Sequence, residues 1–136
     1  MSAGLEIKVD GLVKKFDQMP AQIQQAMIDE LRLTGLMIET NYKIAVPVDT
    51  GRLITSIHTE HSDIKAYNYS DREGNNYSGT IGYDLKPTQV IVGTNVEYAA
   101  KIEYRGGKGG KGKGALLDAF ESETRGLPDR LTKLIK

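Results

Sequence analysis

The sequence predicts an α+β fold: a small antiparallel β-sheet packed against one long helix, with shorter N- and C-terminal helices. Three observations carry this expectation. Apolar residues recur every three or four positions from about residue 20 to 45, one continuous helical stripe. Three β-like segments follow between residues 53 and 92, joined by connections too short for parallel crossovers. Beyond a glycine-rich stretch, a helical pattern resumes at Ala115. The 136 residues fit a single domain, 1–136, long enough to bury about two-thirds of the unfolded surface.

Taken in order, residues 5–9 alternate apolar and polar, as a short strand does. A short helical pattern through Leu12, Val13, Phe16 and Met19 comes next. Pro20 suits the first turn of the long helix, whose stripe is Ile23, Met27, Leu31, Thr34, Ile38, Tyr42 and Ala45. Gly35 inside that stripe marks a bend or a close packing on the sheet, because glycine costs roughly 1 kcal/mol against alanine in a helix. Pro47 drives Val46 out of the α region and closes the helix. The corner that follows is built from Pro47, Asp49, Thr50, Gly51 and Leu53. Asp49 or Thr50 is expected to cap backbone N–H groups, and Gly51 to take a positive φ.

After the corner, residues 53–63 read as a strand, with Ile54, Ser56 and His58 on one face and Thr55, Ile57 and Thr59 on the other. Residues 73–76 make a polar turn. Residues 80–85 read as a second strand with Gly82 a possible bulge, and residues 89–92 as a third, ended by Gly93. The three together predict a meander. Asn95 is placed to cap a helix over 96–103 carrying Ala99, Ala100 and Ile102. Residues 105–114 hold six of the chain's 15 glycines and no side chain able to anchor a core, which predicts a flexible loop. The helix after it turns Leu116, Leu117 and Phe120 inward and ends at Gly126; Pro128 starts a last helix with Leu131, Leu134 and Ile135.

Composition removes several function classes. Eighteen basic residues balance 18 acidic ones, so no global field draws the chain to nucleic acid. Without cysteine there is no disulfide, thiolate metal site or thiol nucleophile. No run of about 18 apolar residues reads as a membrane span, and residues 1–10 lack the basic start and apolar core of a signal peptide.

The candidate chemistry is sparse. Gly107, four residues, then Gly112-Lys113 imitates a phosphate-binding loop, but Gly114 stands where Ser or Thr would hold Mg²⁺. Arg105, Lys108, Lys111 and Lys113 make the segment a basic arm able to meet a neighbouring subunit, an acidic partner surface or DNA phosphates, or else a solvated loop. His58 and Glu60 share a strand face while His61 points away, so surface histidines are expected rather than a metal site. Ser56 and His58 do not form a catalytic pair on spacing alone, and no cofactor is expected. Tyr67, Tyr69 and Tyr77 flank the polar turn, either as a partner-contact tip on a projecting hairpin or packed down on the sheet.

Three separated pieces then coincide: Val46-Pro47-Val48-Asp49-Thr50-Gly51-Arg52-Leu53 followed by Ser56-Ile57; Val92-Gly93-Thr94 with Tyr98-Ala99-Ala100-Lys101-Ile102-Glu103-Tyr104; and Ala115-Leu116-Leu117-Asp118-Ala119-Phe120. In this order they closely resemble the small tail-component proteins of long-tailed bacteriophages, the tail-completion and head–tail joining family. The likeness covers roughly residues 5 to 125, and it departs where family members enter the last helix through proline-phenylalanine-leucine and this chain has Gly114-Ala115-Leu116-Leu117. The resemblance implies a non-enzymatic virion protein of the neck or tail, assembled in the host cytoplasm as a cyclic ring, a hexamer that matches tail symmetry. Its implied partners are further copies of itself and the phage connector and tail-tube or terminator proteins, with possible DNA contact in the channel. Other readings are a head-proximal connector or minor capsid component, and a nucleic-acid-binding module using the basic arm.

Overall fold

The computed structural model describes residues 3–7, 16–47, 51–63, 67–81 and 84–135. The long helix, α1 (Ala21–Ala45), has the bounds its stripe predicts, with Pro20 immediately before it. Met27, Leu31, Thr34, Ile38 and Tyr42 are its buried residues, together with Gly35. A Cβ on Gly35 would stand 2.7 Å from Val90 Cγ1 and 2.9 Å from Thr59 Cγ2. The glycine is therefore a close approach of helix to sheet, which only a residue without a side chain permits. Of the short helical pattern expected before Pro20, residues 11–15 lie outside the described residues, and Phe16 to Met19 form a turn closed by Met19 N–H to Phe16 O.

The sheet that α1 covers is antiparallel, with β5 (Val90–Thr94) in the centre between β1 (Ala3–Ile7) and β2 (His58–Glu60). In the backbone register Leu5 and Thr59 both pair with Val92, one on each side of β5. β5 is buried throughout: Val90 and Val92 join the α1 core, and Ile91 packs with Ile81 and Leu85. Gly93 pairs with Gly4 and His58, so the strand continues through the residue expected to end it. A separate two-stranded ladder, β3 (Tyr67–Ser70) with β4 (Asn76–Gly79), sets Tyr69 opposite Tyr77.

Two strand expectations are corrected here. Residues 53–63 are not one strand: α2 (Arg52–Ser56) occupies the first half and only three residues enter β2. In that first half and just after it Leu53, Ser56 and Ile57 are buried, a spacing of three and four that fits a helical turn better than alternation. Of the strand expected over 80–85, residues 82 and 83, with the bulge expected at Gly82, lie outside the described residues; the strand described nearest to it is β4, and the expected meander is replaced by a three-stranded sheet and a hairpin. Ile81 N–H donates to the Glu60 carboxylate at 2.6 Å instead of to a ladder partner.

The remaining helices are α3 (Ala99–Arg105), α4 (Ala115–Thr124) and α5 (Leu127–Leu134). α3 starts later than expected, because Val96 N–H is taken by Thr94 Oγ1, and Asn95 does not cap it. On α4, Leu116 is buried and Phe120 packs against the core as expected, Ala115 and Ala119 join them, and Leu117 alone of the three expected residues is exposed. Gly126 is the residue preceding α5 rather than a left-handed cap of α4. Arg130 reaches from α5 to Glu30 and Thr34, and Asn41 donates to Glu123, which together hold α5 and α4 against α1. Among the described residues no helix is long and apolar enough to cross a membrane.

Candidate functional site

The corner, the tyrosine hairpin and the glycine–lysine loop meet on one side of the molecule. Val46 leaves α1 in an extended conformation, and Pro47 follows. Asp49 and Thr50, expected to cap, lie outside the described residues. Gly51 has φ +79°, the conformation expected of it, and opens α2. A side chain there would be strained by that φ and would stand 3.1 Å from Arg72 Cγ. Thr55 Oγ1 donates within reach of Gly51 O (2.8 Å) and Ser70 O (2.6 Å), so α2 is stitched to β3 by one hydroxyl. Leu53 is buried beneath it.

Arg52 faces the other way. Its guanidinium forks onto both oxygens of Glu97 at 2.9 Å each, lies 4.5 Å from the ring centre of Tyr77, and stands 6.0 Å from that of Tyr98. The hydrogen bond from Arg52 holds the Glu97 carboxyl below its ordinary range, and the same bond raises the guanidinium further. From Tyr77 a ladder of rings runs inward: Tyr77 to Tyr69 at 5.3 Å, Tyr69 to Tyr67 at 6.3 Å, Tyr67 to His58 at 4.5 Å, all near parallel. Tyr69 is buried and donates its hydroxyl to Asn95 Oδ1 at 2.9 Å, which is why Asn95 is not a helix cap. Of the two alternatives for the tyrosines, packing down is the one observed for Tyr69, with Tyr67 and Tyr77 half-buried beside it.

Asp71 closes the turn of the hairpin. It accepts from the backbone N–H groups of Glu73 and Asn75, the Asn75 amide and the Tyr77 hydroxyl. The Asn75 amide is the main reason its carboxyl is held below the usual range; in return, Asp71 raises the Tyr77 phenol. A cleft of about 400 Å³ lies between corner and hairpin, walled by Pro47, Arg52, Leu53, Asp71, Tyr77 and Tyr98.

His58 and Glu60 do share a strand face, but that face is interior: they are 2% and 0% exposed, which corrects the expectation of surface histidines for His58. His58 Nδ1 bonds Ser56 O at 2.7 Å, and a carbonyl only accepts, so Nδ1 carries a hydrogen. Nε2 meets Glu60 Oε2 at 2.5 Å, with one proton held between them. Glu60 also accepts from Thr80 Oγ1 and Ile81 N–H, so this carboxylate binds the main sheet to the chain leaving β4. Ser56 Oγ meets Thr94 Oγ1 at 2.5 Å, away from His58. His61 is half-exposed and accepts from Asp63 N–H; burial, then Arg32, lowers its pKa. Among the described residues no group of three His, Cys, Asp or Glu is placed to hold a metal ion.

The glycine–lysine segment does pack, contrary to the expectation that it contributes nothing to the core. Gly107 and Gly112 lie against the Pro47 ring, at positions where a Cβ would come within 2.8 Å and 2.9 Å of it, and Gly112 also meets Ile102. The backbone closes on itself through Gly106 N–H to Ile102 O, Gly107 N–H to Lys111 O and Gly114 N–H to Glu103 O. Glu103 finishes the work by accepting from Leu116 and Leu117 N–H at the start of α4. Its charge and, chiefly, burial raise the pKa of Tyr42. The element before this loop is a helix, not a strand, so no phosphate-loop arrangement forms. Arg105, Lys108, Lys111 and Lys113 are left exposed around it. Sequence reasoning did not find the roles of Arg52, Glu97, Glu103 and Asn95, whose partners lie 13 to 45 positions away. No family model, curated protein or solved structure matches the chain.

Proposed function

We propose that this chain is a structural virion protein of a long-tailed bacteriophage, acting in tail completion and head–tail joining as a ring at the neck. The observation that carries the reading is the meeting of the three sequence pieces that resemble that family. Pro47 of the first touches the loop leading to the third, Arg52 of the first stacks near Tyr98 of the second, and Glu103 of the second caps the helix of the third. The chemistry they assemble is that of contact: paired charges, stacked rings and exposed lysines, with His58 engaged inside by Glu60 and Ser56.

In this reading Arg105, Lys108, Lys111 and Lys113 face a neighbouring copy, the connector and tail-tube or terminator proteins, or DNA in the channel. The test is particle assembly without the chain. Depletion is expected to leave filled heads and finished tails unjoined, and the added purified protein to join them. Joining that proceeds equally without it overturns the proposal. Replacing Lys108, Lys111 and Lys113 with glutamine is expected to slow joining while leaving melting unchanged, because none of the three is buried. A second reading, a nucleic-acid-binding module, draws on the same four exposed basic residues. It requires duplex affinity that falls with salt at a log–log slope of about −3.6 for four phosphate contacts.

A further inference from the structure

The back of α1, away from the sheet, carries a second apolar stripe. Leu33, Leu36, Met37 and Ile44 are 51%, 51%, 42% and 74% exposed. At 100° per residue they and Thr40 fall within a sector of about 100°, centred about 140° from the buried stripe. Glu123 of α4 and Asn41 border it, and a shallow groove runs along Leu33, Leu36 and Met37. A solvated helix face has no need of four large apolar side chains in register.

We propose that this face docks on the same face of a second copy, as an antiparallel α1–α1 pair about a two-fold axis at Leu36. The charges bordering the stripe select this occupant and direction. Asp29 and Lys43 stand one heptad either side of Leu36 along the same edge of the helix. A two-fold axis that reverses the helix keeps like edges together, so Asp29 of each copy meets Lys43 of the other. Leu36 then faces Leu36, and Leu33 faces Thr40. In a parallel pair the Asp29 edge would meet the edge that carries Glu30, whose charge is already taken by Arg130, and Asp29 would lose its Lys43 partner. Lys43 already holds Glu39 of its own helix at 3.1 Å, and an ammonium has three hydrogens to share.

The contact is isologous and therefore finite: it yields a dimer and cannot by itself extend into a ring. It stands independently of the neck reading and describes the free protein. Two single helices cover less than the roughly 800 Å² per partner of stable complexes, so the pair is expected in the micromolar range.

Sedimentation of the purified full chain from about 1 µM to 1 mM tests it. The expected result is a monomer–dimer equilibrium that Leu36→Asp converts to monomer without moving the melting curve. Asp29→Lys and Lys43→Asp should each weaken the dimer on the order of 10-fold, and the two combined in one chain should restore it to within about 3-fold. Monomer at every concentration overturns the proposal. So does any oligomer indifferent to Leu36→Asp, or a charge-swapped chain no tighter than either single variant.

Discussion

The tyrosine hairpin and the glycine–lysine loop are both additions to the helix–sheet core, and they are attached by opposite means. The hairpin is held by side chains: the ring ladder from Tyr77 to His58, the Tyr69 hydroxyl on Asn95, and Glu60 beneath. The loop is held by backbone: its amides close on Ile102, Lys111 and Glu103 carbonyls, and its glycines let the main chain lie on Pro47. The comparison teaches that a segment without apolar side chains can still be fixed, provided its backbone groups are paired and something flat lies beneath. It also separates anchoring from display. The hairpin uses its side chains to attach, whereas the loop leaves its lysines to solvent.

The contrast can be broken most sharply at Glu60. Glu60→Ala leaves His58, Thr80 and Ile81 N–H without their shared acceptor in the interior, and about 3–5 kcal/mol of stability should be lost. Glu60→Gln keeps the side chain's size and one acceptor oxygen, but Ile81 N–H and His58 Nε2 both meet Oε2, so only one of them can be served, and its urea midpoint should fall between those of Glu60→Ala and the parent. A Glu60→Ala midpoint close to the parent's would mean that the carboxylate is not the hairpin's anchor. For the loop, the damaging change is in the backbone. Gly106→Ala places a Cβ at φ +77° and 2.5 Å from Gly110, which should cost about 2–3 kcal/mol. A midpoint unmoved by this change would show the loop to be free of the core after all.

Glu103→Ala probes the one side chain on which the loop's exit depends. It removes the acceptor for Leu116 and Leu117 N–H, and about 1–2 kcal/mol should go with it. Amide exchange should quicken at those two residues first; protection unchanged there would remove Glu103 from the account. The smallest effect belongs to the hairpin tip. The Asp71 carboxyl is held below its ordinary value, so its contribution is complete above about pH 4 and is lost as pH falls further through the folded value. Exchange at Asn75 should accelerate on that acid side, and Asp71→Asn should flatten the dependence. An acid profile identical in the two proteins would mean that the turn does not depend on this charge.

Much of this architecture was legible because it rests on local chemistry. The stripe from Met27 to Tyr42 alone defines α1, since a 3.6-residue period states both the helix and its buried side. Gly35 within that stripe pointed to a bend or a close approach, of which the structure has the second, and Gly51 beyond Pro47 to a left-handed turn, because few other residues tolerate either. His58 was misread for an instructive reason. Alternation with Thr59 states that the two lie on opposite faces of a strand, and says nothing about whether a second layer covers either one. That layer is the chain around Tyr67 and Ile81, and no period in the sequence announces it.

By itself, then, the sequence determined the long helix, the corner's glycine and the two closing helices, since each is set by residues within a few positions of one another. Only the tertiary structure decided that β5 lies between β1 and β2, that the tyrosine hairpin is a separate ladder, and that Glu60 and Glu103 tie distant segments together. Those outcomes turn on which edge a strand finds and which buried donor a carboxylate meets. They are settled by groups tens of residues apart competing for the same partners, and composition or period does not record that competition.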